Sequence, residues 1–219
     1  LQIIKSEHAL IKILLEDIAD KSGAQKDEDM IEIMDSLDQI KLQVNRCAQI
    51  THDILKFGRK NETKHQVLNP CHVIPEIVHM IEKKAWVSGI KIIKQFSENS
   101  FAFMGDPSQF QQVMLNLFNN AMDAIGDRHG VSGGTLTIES YKKEDNFLEI
   151  KITDNGTGIR PENLEKIFSP FFTTKPVGKG TGLGLCVCFG IIENFGGTME
   201  VISELNAGTT FVIRLPAVN

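Results

Sequence analysis

Four clusters of unusual residues follow one another between Asn116 and Gly184, and any fold for this chain has to bring them together. They are Asn116-Leu-Phe-Asn-Asn120-Ala, Asp154-Asn-Gly156-Thr-Gly158-Ile159, Phe168-Ser-Pro-Phe171-Phe172 and Gly178-Lys-Gly180-Thr-Gly182-Leu-Gly184. The first lies in a segment with helical periodicity after Asp106-Pro107. Turning each residue by about 100° puts Asn116, Asn120, Asp123 and Asp127 in a narrow arc, beside an apolar face of Phe110, Val113, Leu117, Ala121 and Ile125. A solvated helix face is ordinarily built from Lys and Glu. Asn competes for backbone hydrogen bonds and is a mediocre helix former, so several amides on one stripe need a reason.

The other clusters supply complementary chemistry. Asp154 ends a strand-like run and is followed at once by Gly156 and Gly158, which let a backbone approach a flat ring closely. A carboxylate accepts a hydrogen bond from an exocyclic amine, which suits adenine and disfavours guanine. Taken alone, Asp-Asn-Gly is a common turn sequence. Gly178, Gly180, Gly182 and Gly184 can aim backbone N–H groups at phosphate oxygens at the start of a helix, with Lys175 and Lys179 adding charge. That loop is neither a Walker A sequence nor a dinucleotide fingerprint. Phe168, Phe171 and Phe172 read as core, or as the anchor of a lid. An Asn oxygen can hold a Mg²⁺ ion whose remaining ligands are water and phosphate. Together these are the parts of an ATP pocket.

Bulk properties narrow the alternatives. The 219 residues suffice for one sizeable core and a smaller element, and a net charge of -5 argues against a broad nucleic-acid surface. Cys47, Cys71, Cys186 and Cys188 show no disulfide framework or paired metal spacing. No apolar run approaches the roughly 18 residues that span a bilayer, so a cytoplasmic location without membrane contact is expected, with membrane attachment of a longer protein left open.

Residues 1 to 60 predict a helical hairpin, because Leu1, Ile4, His8, Ile11, Leu15 and Ile18, and then Met30, Ile33, Leu37, Ile40, Val44, Cys47, Thr51 and Ile54, recur at heptad spacing. Pairing with a second copy into a four-helix bundle would bury that seam. After the polar run Arg59 to Lys64, residues 61–219 predict strands at 66–68, 90–96, 101–104, 136–141 and 147–153. Helices are expected after the caps Asn69-Pro70 and Asp106-Pro107 and over 183–194, with two last strands flanking Asn206-Ala-Gly208. The order lacks a strict strand–helix alternation, so the expected class is α+β, a two-layer sandwich.

The four clusters in this order, after such a hairpin, closely resemble the N, G1, F and G2 boxes of the sensor histidine kinases of two-component signalling. The resemblance implies a Bergerat-type α/β sandwich that binds ATP and Mg²⁺. It implies that Asn120 holds the metal, that Asn116, Asp123 and Lys175 serve the phosphate side, and that Asp154 reads adenine with Thr210 beside it. Gly156 and Gly158 would line the base, Gly180, Gly182 and Gly184 would shape lid and phosphate contacts, and Ile159, Phe168, Phe172, Lys179, Thr181 and Leu183 would also belong to the nucleotide site. It further implies a homodimer through residues 1–60, a response-regulator receiver domain as partner, and transfer of the γ-phosphoryl group first to histidine and then to aspartate.

One departure stands out. The family's phosphoacceptor box is absent, and Leu1-Gln-Ile-Ile resembles the residues directly after that box, so the acceptor histidine is expected about six residues before Leu1. Without it these residues would bind ATP yet not autophosphorylate. His8 falls on the seam and is expected to be a packed histidine, and His52-Asp53 imitates the box without its proline. The rival readings are a related ATPase, which would place a Glu where Asn116 stands, and a catalytically silent ATP-binding scaffold.

Overall fold

The computed structural model describes residues 4, 6, 8–15, 28–58, 65–97, 102–143, 146–176 and 180–218. They fall into two compact units, residues 1–60 with 173–181, and residues 61–172 with 182–219. In the first unit, helix α1 (residues 8–15) meets helix α2 (Glu28–Gly58). His8 is buried between them, with its Nε2 2.8 Å from the Leu37 carbonyl oxygen, and Lys12 pairs with Asp38 at 3.2 Å. The expected packed histidine is therefore found. Ile4, Ile11, Ile33 and Ile40 of the predicted seam stay 44–49% exposed. The turn predicted between the two arms lies outside the described residues.

Among the described residues the second unit has seven strands: β1 (Gln66–Leu68), β2 (Ile90–Phe96), β3 (Ala102–Gly105), β4 (Gly134–Lys142), β5 (Phe147–Asp154), β6 (Thr198–Glu204) and β7 (Gly208–Val218). Their order is β1-β3-β7-β5-β4-β2, with β6 also on β7. Among the described strands only the β2–β4 pair is parallel; the rest are antiparallel. The eleven residues of β7 pair with β5 along one edge, and with β6 and then β3 along the other.

Three long helices cover one face: α3 (Pro70–Val87), α4 (Pro107–His129) and α6 (Gly184–Asn194). The sequence signals for the starts of α3 and α4 hold. The Asn69 side chain accepts from Cys71 N at 2.9 Å, and that of Asp106 accepts from Ser108 N and Gln109 N at 2.9 and 3.0 Å, each followed by Pro at the first turn. Alternation along β4, β5 and β7 aims Leu136, Ile138, Ile150, Ile152, Phe211 and Ile213 at the helices, where they share one core with Ile74, Phe110, Leu117, Phe118 and Ile192. Burying each such side chain contributes roughly 1.5–3 kcal/mol. The short helix α5 (Pro161–Leu164), which is not among the sequence-based expectations, has no side-chain cap bond but carries Pro in its first turn with Glu162 beside it. The α+β two-layer expectation is met. Among the described residues no helix is long and apolar enough to cross a membrane.

On the sheet face away from the helices, Glu149 is buried. Tyr141 Oη donates to it at 2.5 Å and Arg214 Nε at 2.8 Å, with Lys143 and Lys151 at 3.5 and 3.6 Å. Burial alone would raise this carboxyl, but the Tyr141 and Arg214 hydrogen bonds and the nearby lysine outweigh it and lower the pKa from 4.5 to about 2. A depressed carboxyl stabilises the fold above its unfolded value. The contribution of Glu149 should therefore be complete above pH 4.5 and vanish as pH falls toward about 2. Urea unfolding followed across that window should show a steeper acid loss in the native chain than in Glu149→Gln.

Candidate functional site

The polar stripe of α4 exists as the sequence implied. Phe110, Val113, Leu117 and Ile125 are buried, Asn116 and Asn120 are partly exposed one turn apart, and Asp123 and Asp127 are exposed. Asn116 uses its amide within the protein. Its Nδ2 donates to the Gly184 carbonyl at 3.4 Å and lies 3.6 Å from Cys188 Sγ, tying α4 to the first turns of α6. Burial pushes the Cys188 thiol up to about 12, so it is neutral and serves as packing.

Asp154 ends β5 with 6% of its surface exposed. The Gly156 N–H donates to its Oδ1 at 2.8 Å, and the Thr209 backbone N–H also hydrogen-bonds to it. Burial dominates nonetheless and raises the carboxyl from 3.8 to about 6. One expectation is corrected here. Thr209, not Thr210, stands opposite Asp154 in the β5–β7 register. Because side chains alternate faces, Thr210 points to the other side of the sheet, where its hydroxyl is 3.0 Å from that of Thr153. Thr209 instead bonds the Ser203 hydroxyl at 2.9 Å on the face that Asp154 occupies.

The loop after Asp154 is seated on α4. Gly156 packs on Ala124, and Thr157 N donates to the Ala124 carbonyl at 3.2 Å. On the far side Ile159 N donates to Ser203 Oγ at 2.9 Å and Asn206 N to the Thr157 carbonyl at 2.7 Å. The glycines read as leaving room for a ring thus have neighbours of their own. Arg128 and His129 also reach this loop. No periodicity or motif marks them, because what they hold is main chain.

The aromatic cluster sits beside α6. The Phe168 ring centroid is 5.2 Å from that of Phe189, and Phe172 is half-buried against the core. Phe171 adopts a left-handed φ of 65° and covers Gly182, where a Cβ would lie 2.4 Å from the Phe171 carbonyl carbon. Leu183 is buried at the start of α6, and no side chain caps that helix. Its uncapped first turn fits an anion, since those N–H groups lack helical partners. Lys175, Gly180 and Thr181 belong to the first unit, where Lys175 N donates to Thr173 Oγ1 at 3.2 Å. Gly178 and Lys179 lie outside the described residues.

Among the described residues no three His, Cys, Asp or Glu side chains are grouped to hold a metal. A single amide oxygen, such as that of the partly exposed Asn120, could hold a Mg²⁺ ion whose other ligands are phosphate and water.

Residues 105–219 match the family described as Histidine kinase-, DNA gyrase B-, and HSP90-like ATPase. The chain is 36% identical over 191 residues to Sensor kinase CckA of Brucella abortus, an alignment that covers 81% of this chain and 20% of that protein. The chain therefore spans about a fifth of the length of that curated relative. It is also similar to a nucleotide-free catalytic domain of histidine kinase ThkA, with a TM-score of 0.61 and 30% identity over 70% of this chain and 96% of that one. The structure of ThkA in complex with response regulator protein TrrA matches 99% of this chain and 60% of that one with a TM-score of 0.67; at 23% identity this is a likeness of fold.

Proposed function

The chain belongs to the histidine kinase-, DNA gyrase B- and HSP90-like ATPase family, and from that membership we propose that it is the ATP-binding catalytic portion of a sensor histidine kinase. The reaction is transfer of the ATP γ-phosphoryl group to an imidazole nitrogen, then to a response-regulator aspartate. The observation that carries this reading is the buried carboxyl of Asp154. Two N–H groups reach it, which uses about half of a carboxylate's four acceptor positions. An exocyclic amine is the complementary donor.

Asn120, carried on α4 beside the loop that continues from Asp154, would hold Mg²⁺, which when bound neutralises charge on the phosphates. The uncapped start of α6 would receive the phosphate oxygens through backbone N–H groups. An imidazole is already a nucleophile, so these residues mainly position and screen charge. Hydrolysis as the principal activity is disfavoured by Asn116, whose amide is bonded to Gly184 and cannot take a proton from water. His8 is buried against Leu37, which disfavours it as the acceptor. The half-exposed isoleucines of the hairpin favour pairing with a second copy.

Two measurements test this. Asn120→Ala should weaken Mg-ATP binding by about tenfold or more in calorimetry, while leaving Mg-free adenosine binding nearly unchanged. Incubating the chain with labelled ATP and a helical hairpin that carries the family's acceptor histidine should put acid-labile, base-stable label on that hairpin. Rapid release of free phosphate without labelled hairpin would overturn the kinase reading in favour of an ATPase.

A further inference from the structure

We infer that Arg128 and His129, at the end of α4, are positioning residues that fix the base-reading loop relative to the metal-holding amide. This rests on the nucleotide site proposed above and names two residues outside it. Arg128 Nη1 donates to the carbonyls of two successive residues, Asn155 at 2.8 Å and Gly156 at 3.1 Å. His129 Nε2 donates to the same Asn155 carbonyl at 2.9 Å. Three N–H bonds therefore converge on two carbonyls of the residues immediately after Asp154.

The rest of the loop has no comparable freedom to compensate. The Asn155 side chain is already engaged, accepting from Thr135 N at 2.8 Å and donating to the Gly133 carbonyl at 3.1 Å. Gly156 N is committed to Asp154 Oδ1. The carboxyl is thus oriented by an N–H whose own residue is held through its carbonyl by Arg128. Helix α4 carries both ends of this arrangement. Asn120 and Arg128 are eight positions apart, which is about 12 Å along a helix axis at 1.5 Å per residue. A rigid helix that grips the loop at one point and presents the metal amide at another sets the spacing between base and phosphates.

Both bonds come from the one nitrogen Nη1, which the rigid, permanently charged guanidinium holds in a fixed plane. Lys, whose ammonium has donors enough but sits on a shorter, freely rotating stem, should restore only part of the function. His129 acts through an Nε2–H donated to the Asn155 carbonyl.

The test uses the whole chain. In Arg128→Ala, affinity for ATP and for adenosine should fall together by about tenfold, because the loss is on the base side, while the ratio of affinities with and without Mg²⁺ stays as in the native chain. Amide exchange at Gly156 and Thr157 should speed up while exchange within β4 and β5 does not. Arg128→Lys should recover part of the affinity, and added guanidinium ion should recover part of it in the Ala variant. His129→Gln, which keeps an N–H donor, should bind better than His129→Ala. Native affinity in Arg128→Ala, or a lowered melting temperature with unchanged binding well below it, would overturn the inference. Should Asp154→Asn bind ATP like the native chain, the nucleotide site itself would be wrong; Asp154 dependence together with an indifferent Arg128 defeats only the positioning role.

Discussion

Replacing Asp154 with Asn should make the ligand-free domain more stable while removing its nucleotide binding. The two effects share one cause. The carboxyl is buried, and its folded pKa is raised from 3.8 to about 6. Below pH 3.8 it is protonated in both folded and unfolded chains and costs nothing. Between pH 3.8 and about 6 the folded state keeps a proton that the unfolded state has lost, so stability declines as pH rises through that window. Above it the cost is full, of order 2–3 kcal/mol for a shift of about two units. Asn keeps an oxygen for the Gly156 and Thr209 N–H groups but carries no charge. Denaturant unfolding should show the variant more stable than the native chain at pH 7.5 and equal to it near pH 3.5. Its Mg-ATP affinity should fall on the order of a hundredfold, because an amide N–H2 set against an exocyclic amine puts donor against donor. A variant that is stabilised and still binds would remove Asp154 from base recognition.

The second large effect is expected at Gly158. Its φ is +69°, and a Cβ there would lie 2.0 Å from the Glu204 carbonyl oxygen. Alanine therefore meets both a disfavoured backbone region and main chain that cannot swing aside. Relief requires separating the loop from the β6–β7 turn, which breaks the Asn206-to-Thr157 and Ile159-to-Ser203 hydrogen bonds. Gly158→Ala should cost about 4 kcal/mol, a large part of the roughly 5–15 kcal/mol that holds a domain folded. Gly126, in the interior of α4, provides the opposite case, since a Cβ added there would meet nothing within 4 Å. Gly126→Ala should stabilise by about 0.5–1 kcal/mol through helix propensity. Chemical denaturation of both variants distinguishes a glycine demanded by its surroundings from one that is merely tolerated.

Most of the architecture is legible in the chain because its signals are local. The caps at Asn69 and Asp106 depend on neighbours two and three residues away, and the strand over 90–96 is readable from its apolar run. The turn at Asn206 to Gly208 is visible for the same reason. Asp154 is legible because paired glycines follow it within an ordered set of clusters, and the α4 stripe because a row of amides on one helix face needs a use. The features that escape a sequence reading depend on contacts between distant segments. Thr209 and Thr210 are neighbours of one residue type, and only the β5–β7 register decides which shares a face with Asp154. Arg128 and His129 bind carbonyls, and main-chain acceptors leave no trace in residue identity. Glu149 looks like any strand glutamate until Tyr141 and Arg214 are brought across from the neighbouring strands.

The position of β7 has a consequence for how such a domain is made. It is the last of the seven described strands, yet it lies inside the sheet, joining β5 to both β6 and β3. As a ribosome extends the polypeptide, β4 and β5 can form a hairpin early, but β1 and β3 have no route to them until residues 208–218 have emerged. Vectorial synthesis therefore leaves the Asp154 end of the site without its Thr209 neighbour until nearly all of the domain has been translated, and nascent chains should gain nucleotide-dependent protection from protease only after that strand is released.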